Sequence, residues 1–192
     1  MRKLLAEIKQ CTTCKDHLSH GCNPVIVAHK ESKIAIIGQA PGRLVHESGT
    51  AWTDKSGERL RAWLGVTETQ FYDPKIFAIV PMGFCYPGTG KTGDLPPRKE
   101  CAPLWHAQLF EQMENLELIL LIGRYAQKHY LGKQRKKNLT ETVLQYDSYL
   151  PKYFPLPHPS PRNNIWQKKN PWFAQDVLPT LKKQLNLILP KE

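Results

Sequence analysis

Hydrophobic and polar positions alternate along this chain between two kinds of segment. Short apolar runs, rich in β-branched residues, occupy 34–38 (IAIIG), 76–83 (IFAIVPMG), 116–123 (LELILLIG) and 153–159 (YFPLPHP). A continuous apolar run of roughly four to eight residues, closed by glycine or proline, suits a strand covered on both faces. The pattern predicts buried parallel strands for the first three. Proline has no N–H to give a β-ladder, so Pro81 is expected at the end of the second strand. The prolines of YFPLPHP leave room only for a short edge strand.

Between these runs the period becomes helical. SGERLRAWLG places Leu60, Trp63 and Leu64 on one face, with Ser56 as the expected cap and Gly65 as the stop. LWHAQLFEQM repeats its large apolar groups at Trp105, Leu109 and Met113. Asn170 and Pro171 open a last helix, with Val177, Leu178, Leu181 and Leu185 facing inward and Pro179 bending or dividing it. This alternation predicts a three-layer α/β/α fold around a central, mostly parallel four-stranded sheet. Neither a linker nor an internal repeat interrupts it. Residues 1–192 are therefore expected to form a single domain, with the cysteine-containing segment 1–32 packed on it.

Ligands of such sheets collect beyond the carboxyl ends of the strands. Three unusual loops fall there: GQAPGRLVHESGTAWTDKSG after the first strand, MGFCYPGTGKTGDLPPRKEC after the second and HPSPRNNIW after the fourth. Gly and Pro also punctuate ordinary turns, but three polar, aromatic, proline-rich loops on one rim predict a cleft. Gly38-Gln39-Ala40-Pro41-Gly42 lacks both the Lys-Ser/Thr ending of a P-loop and the glycine spacing of a dinucleotide fingerprint. Its glycines still allow backbone amides to approach a phosphate or a base.

Charge narrows the partner. Lys and Arg number 27 against 17 Asp and Glu, a formal net charge of +10. That balance favours a polyanion, nucleic acid first, with solubility as the plainer reading. Two basic clusters sharpen it: Lys133, Arg135, Lys136 and Lys137, and then Arg162, Lys168 and Lys169. No apolar run reaches the roughly 18 residues of a membrane span, and MRKLLAEIKQC does not resemble a signal peptide. A cytoplasmic, monomeric protein is the expectation. Absence of a P-loop and of a compact carboxylate cluster argues against a kinase or phosphatase.

Disulfides are uncommon in the cytoplasm, so the five cysteines are read chemically. Cys11 and Cys14 form a CxxC pair, and Cys85 and Cys101 flank a Gly/Pro-rich loop. Four thiolates suit a [4Fe-4S] cluster or a tetrahedral zinc, and spacing alone does not choose between them. No strand precedes the CxxC pair, as a thioredoxin-type redox site would require. Cys22 is the spare, although His17 and His20 lie near it in sequence.

GQAPG taken together with HPSPRN is a more specific signal than either alone. The chain resembles the uracil-DNA glycosylase superfamily along nearly its full length, above all the iron-sulfur branches of bacteria and archaea. GQAPG resembles the first catalytic motif, HPSPRN the second, and LLIGRYAQKHYLG the strand-helix unit between them. The resemblance implies a monofunctional DNA glycosylase of base-excision repair. Such an enzyme turns a nucleotide out of the duplex and lets water cleave the bond between base and deoxyribose.

It further implies that His158 donates a hydrogen bond to the carbonyl oxygen of the departing base. Gly38, Ala40, Pro41 and Gly42, with Ser160, Arg162 and Asn163, are implied to contact the nucleotide. Trp52 is implied to stack on the base, worth about 1–3 kcal/mol, although a tryptophan serves equally well as a core anchor. In the segment that enters the minor groove, Arg162 meets phosphate or bases and Ile165 is the candidate wedge. Trp166 instead pins the loop to the final helix, and Lys168 and Lys169 touch the DNA backbone. For Cys11, Cys14, Cys85 and Cys101 the resemblance favours a structural [4Fe-4S] cluster over zinc or an empty site.

Two positions depart from the family pattern. Relatives place a water-orienting carboxylate, or in some branches an asparagine, in or near the first motif, where this chain has Gln39 and Ala40. Glutamine positions a water but cannot accept its proton. Asp54 is the first candidate to compensate and Glu47 the second, while a helix cap or turn is the plainer role for Asp54. Pro81 stands where relatives often read the base with asparagine, so uracil and other deaminated bases both remain candidates. A DNA-binding homologue with little hydrolysis is the alternative function.

Overall fold

The computed structural model describes residues 1–91 and 93–189. Its elements in chain order are α1 (Arg2–Lys9), β1 (Ile34–Ile37), α2 (Arg43–Ser48), α3 (Lys55–Leu64), α4 (Glu68–Tyr72) and β2 (Phe77–Ile79). The two-residue strands β3 (Thr89–Gly90) and β4 (Gly93–Asp94) follow, then α5 (Ala107–Glu111), β5 (Leu118–Ile122), α6 (Gly123–Leu131) and α7 (Leu139–Leu144). β6 (Tyr153–Leu156), α8 (Asn164–Lys169) and α9 (Leu178–Ile188) complete the chain.

All four predicted apolar runs become strands of one parallel sheet, ordered β2-β1-β5-β6. The register sets Ile36 opposite Ile79 on one side and Leu120 on the other, and Leu120 opposite Phe154. β6 is an edge strand, so Pro155 sits where a missing N–H leaves no ladder partner wanting. At the opposite edge Val27 makes a single antiparallel bridge to Ile79.

Side chains alternate across a strand, and here the alternation builds two cores. Ile34 and Ile36 face a cluster containing Leu60, Trp63, Phe71, Phe173, Leu181 and Leu185. Ala35 and Ile37 face the other, with Leu4, Ile8, Leu109, Met113 and Leu131. Thus α3 and α9 cover one face while α1, α5 and α6 cover the other, which gives the expected three-layer α/β/α fold. The amino-terminal helix α1 is amphipathic and joins by burying Leu4 and Ile8.

Local chemistry moved some boundaries. The cap of α3 is Asp54 rather than the expected Ser56: its Oδ1 accepts the Gly57 N–H at 3.0 Å, and Ser56 is buried in the first turn. Gly65 ends that helix at φ +70°, as expected. The last helix is divided, with a π-type turn at Phe173–Val177 preceding α9. Pro179 offers no N–H to the preceding turn, which accounts for its widening. Leu178, expected to face inward, is only half-buried, while Val177, Leu181 and Leu185 are buried. HPSPRNNIW is less loop-like than its composition predicts: a 3₁₀ turn at Pro161–Asn163 runs into α8. No helix among the described residues is long and apolar enough to cross a membrane.

Candidate active site

The three rim loops converge on a cavity of about 140 Å³ beyond the carboxyl ends of β1, β2 and β6. The first loop contributes the backbone of Gly38–Gly42 and, before α3, Trp52 and Asp54. The second contributes Pro81 and Asp94, and the third His158. A wider cleft of about 760 Å³ adjoins it and reaches Arg124, Ser160, Arg162 and Asn163. The nucleotide-contacting and catalytic candidates named from the sequence line one or both spaces, with the exception of Glu47.

His158 is half-buried, and the loop around it fixes its protonation. Nδ1 accepts the Ser160 backbone N–H at 3.1 Å, so the proton of the neutral ring sits on Nε2. Burial pushes the imidazole pKa down, and the Asp54 charge pulls it partly back. The result is a neutral donor beside the cavity. Asn163 Nδ2 donates to the His158 carbonyl at 2.7 Å, so Asn163 braces the loop as well as lining the cleft. The Ser160 hydroxyl accepts from the Arg162 N–H at 3.2 Å and closes the turn.

Sequence reasoning missed the clamp behind this loop. Arg59 of α3 donates through Nη1 to the Ser160 carbonyl at 3.2 Å and to Asn164 Oδ1 at 2.7 Å. A charged donor holding a peptide this way is worth about 1.5–3 kcal/mol. Nothing in the sequence flags it, because Arg59 reads as one more charge on a solvated helical face.

Trp52 stands with its indole against Gly38, where an added β-carbon would lie 3.2 Å from Cζ2, and with its ring 5.7 Å from that of His158 at 34°. Its backbone is left-handed at φ +60°, a conformation that costs a non-glycine residue about 1–3 kcal/mol. Neighbours impose it. The Trp52 carbonyl accepts from Arg61 Nη1 and the Tyr72 hydroxyl, each at 3.1 Å. A β-carbon on Gly57 would fall 1.7 Å from that carbonyl oxygen, so only glycine fits there.

The candidates for handling water sort themselves by geometry. Gln39 donates Nε2 to the Leu95 carbonyl at 3.0 Å, which leaves Oε1 as its remaining acceptor. Asp54 lines the cavity while one of its oxygens caps α3. Glu47 is corrected: it pairs with Arg43 at 3.8 Å, largely exposed, and does not line either space. Asp94 is the carboxylate the sequence did not reveal, because an aspartate in GTGKTGDLPP reads as a turn residue.

Around the mouth, Ile165 is 69% exposed on α8, free to meet a partner. Trp166 is pinned, though less simply than expected: its Nε1 donates to Thr140 of α7 at 2.9 Å and its ring meets Trp172 and Phe173 edge-on. His46 is a satisfied structural histidine. Its Nδ1 accepts the Tyr86 N–H at 3.2 Å and its Nε2–H donates to the His20 carbonyl at 3.3 Å.

The expectation of a [4Fe-4S] cluster or zinc on Cys11, Cys14, Cys85 and Cys101 is overturned. Among the described residues no group of three or more His, Cys, Asp or Glu side chains is placed to hold a metal ion. Cys11 turns its thiol to the Thr13 hydroxyl at 3.3 Å, and Cys14 donates to Glu100 at 3.7 Å. Burial pushes the Cys85 thiol up to about 12 and that of Cys101 to about 11, so both are protonated small apolar groups. Cys14 and Cys85 pack with Leu18 and the half-buried Cys22. Packing, rather than coordination, joins the amino-terminal segment to the second rim loop.

A doubly covered parallel sheet with a neutral histidine and a glycine-lined cavity at its carboxyl rim defines an α/β protein built around a small cleft. Residues 25–182 match the family model of the uracil DNA glycosylase superfamily, and the chain belongs to that superfamily. Among solved structures it is similar to wild-type SMUG2 of Pedobacter heparinus. That likeness has 13% identity over 81% of this chain and 72% of the other, with a TM-score of 0.33.

Proposed function

We propose that the protein is a monofunctional DNA glycosylase that hydrolyses the N-glycosidic bond of uracil or another deaminated base. One observation carries the reading: His158 is a neutral imidazole whose Nδ1 is occupied by the Ser160 N–H, leaving an Nε2–H donor at a cavity walled by the first motif. As the bond breaks, negative charge gathers on a carbonyl oxygen of the base. A preset donor in a site that excludes water stabilises that charge without reorganising.

The remaining roles follow from position. The flipped base enters beside Trp52, whose imposed backbone holds the indole as a stacking plate. Asp54 or Gln39 positions the water, and the Asp54 charge favours a cationic sugar. Ser160, Arg162 and Asn163 border the wider cleft where the sugar-phosphate chain passes. Net charge of +10 and the exposed Lys168 and Lys169 support DNA as partner. Pro81 lines the cavity in place of a base-reading amide, which supports a broader choice of base than uracil alone.

Base release from duplexes carrying uracil, hypoxanthine, xanthine or a mismatch tests the proposal. Release from at least one of them, lost in His158→Ala, is the expected result. Salt-dependent DNA binding with no release from any duplex would select the alternative, a binding homologue with little hydrolytic activity.

A further inference from the structure

Six residues line both the enclosed cavity and the open cleft: Gln39, Ala40, Asp54, Ser56, Asp94 and His158. They frame the passage between the two spaces. With a base in the cavity and its sugar-phosphate in the cleft, the bond joining base to sugar lies in that passage. Two of the six are carboxylates, and they come from different loops. Asp54 belongs to the start of α3, and one of its oxygens is committed to the Gly57 N–H at 3.0 Å. Asp94 comes from the β3–β4 hairpin, with Oδ2 standing 3.8 Å from where a β-carbon on Gly42 would be. It thus faces the motif that lacks a carboxylate of its own.

The hairpin is anchored on both sides of Asp94. Its cross-strand partner Thr89 shares a hydrogen bond with the hydroxyl of Tyr86, whose side chain is buried. Its chain neighbour Leu95 receives the Gln39 amide at 3.0 Å. Across the cleft, Arg162 Nη1 comes within 3.2 Å of the place a β-carbon on Gly93 would take.

We propose that Asp94 is a catalytic residue of this site, its carboxylate taking the proton lost by the attacking water that Asp54 or Gln39 positions at the sugar carbon. The inference rests on the glycosylase reading. The bond between the sugar carbon and the base nitrogen breaks, and its electron pair leaves with the base, whose charge meets the His158 Nε2–H. The water oxygen bonds to the sugar carbon, and one of its protons passes to Asp94. Asp94 returns that proton to solvent through the open cleft, on which it is exposed. The released base anion takes a proton from solvent, so one water is consumed and nothing is oxidised or reduced. Burial lifts the carboxyl of Asp94 above the ordinary range while the Arg162 charge draws it down, leaving it a better proton acceptor than an unshielded aspartate.

Single-turnover release at saturating DNA, run beside DNA affinity and thermal melting on the full chain, tests this. Asp94→Asn is expected to slow release about 100-fold or more while affinity and melting stay as in the unaltered protein. Asp94→Glu is expected to recover part of the rate, and added formate to restore part of it to Asp94→Ala but not to His158→Ala. Unchanged release by Asp94→Asn overturns the role of Asp94 and leaves the glycosylase reading standing. Slower release matched by an equal loss of affinity, or by a lowered melting temperature without formate rescue, makes Asp94 a structural hairpin residue and also overturns it. An unaltered protein inactive on every duplex overturns both proposals together.

Discussion

His106 and His158 experience the same force and come to different ends. Burial depresses both imidazoles, His106 to about 4, so each ring is neutral near pH 7. His106 is sealed in the second core at 3% exposure, its Nε2–H donating to the Pro81 carbonyl at 3.1 Å and its Nδ1 accepting from the Tyr130 hydroxyl at 2.5 Å. His158 carries the same tautomer, but among the described residues no protein acceptor meets its Nε2–H. Desolvation alone therefore does not mark a functional histidine. Under the proposed reading, an uncommitted donor at a cavity is what sets His158 apart.

The largest effect should come from removing that donor. His158→Ala is expected to slow base release by 10²–10³-fold, about 3–4 kcal/mol, while urea melts show little change in stability. The opposite partition is expected of His106, which should govern folding and not release. Its folded pKa lies below its ordinary 6.5, so the unfolded chain binds the extra proton. Its contribution is then complete above pH 6.5 and is lost as pH falls toward 4, about 3 kcal/mol in all. Urea melts across that window should show the slope, and His106→Gln, which takes up no proton there, should flatten it.

Arg59 tests whether the His158 ring must be held as well as neutral. Arg59→Ala is expected to slow release by roughly 30-fold, about 2 kcal/mol, and to blur the Nε2–H tautomer in nitrogen NMR of His158. An unchanged tautomer would reduce Arg59 to a packing residue. Asp54 gives the smallest effect on folding. Asp54→Ala should cost about 1 kcal/mol of stability as a lost cap, whereas Asp54→Asn should keep the cap. Any fall in release by the asparagine variant then measures charge alone.

The strands were legible because a buried parallel sheet leaves uninterrupted apolar runs closed by glycine or proline. The rim loops were legible because GQAPG and HPSPRN occupy strand ends with residues a plain turn does not need. The cap of α3 was legible only as a choice between Asp54 and Ser56, since both are good caps and the fold decides between them. Asp94 and Arg59 were invisible for a different reason: each acts across a gap between elements distant in sequence, and its local setting suggests a turn or a solvated face. The four cysteines do meet, lining one small cavity with Cys22, and it is the aim of their thiols that the sequence could not give. Spacing measures separation along the chain, and the directions of Cys11 toward Thr13 and Cys14 toward Glu100 are set by the fold.

The left-handed bend at Trp52 has a consequence for how such a protein diversifies. Gly57, Arg61 and Tyr72 grip its peptide and leave its indole to the cavity, so the mounting and the ring are specified by different codons. Exchanging Trp52 for a smaller aromatic would enlarge the chamber without re-aiming its wall. Under the glycosylase reading, the size of base admitted could then change by one substitution that leaves the peptide at position 52 held as it is.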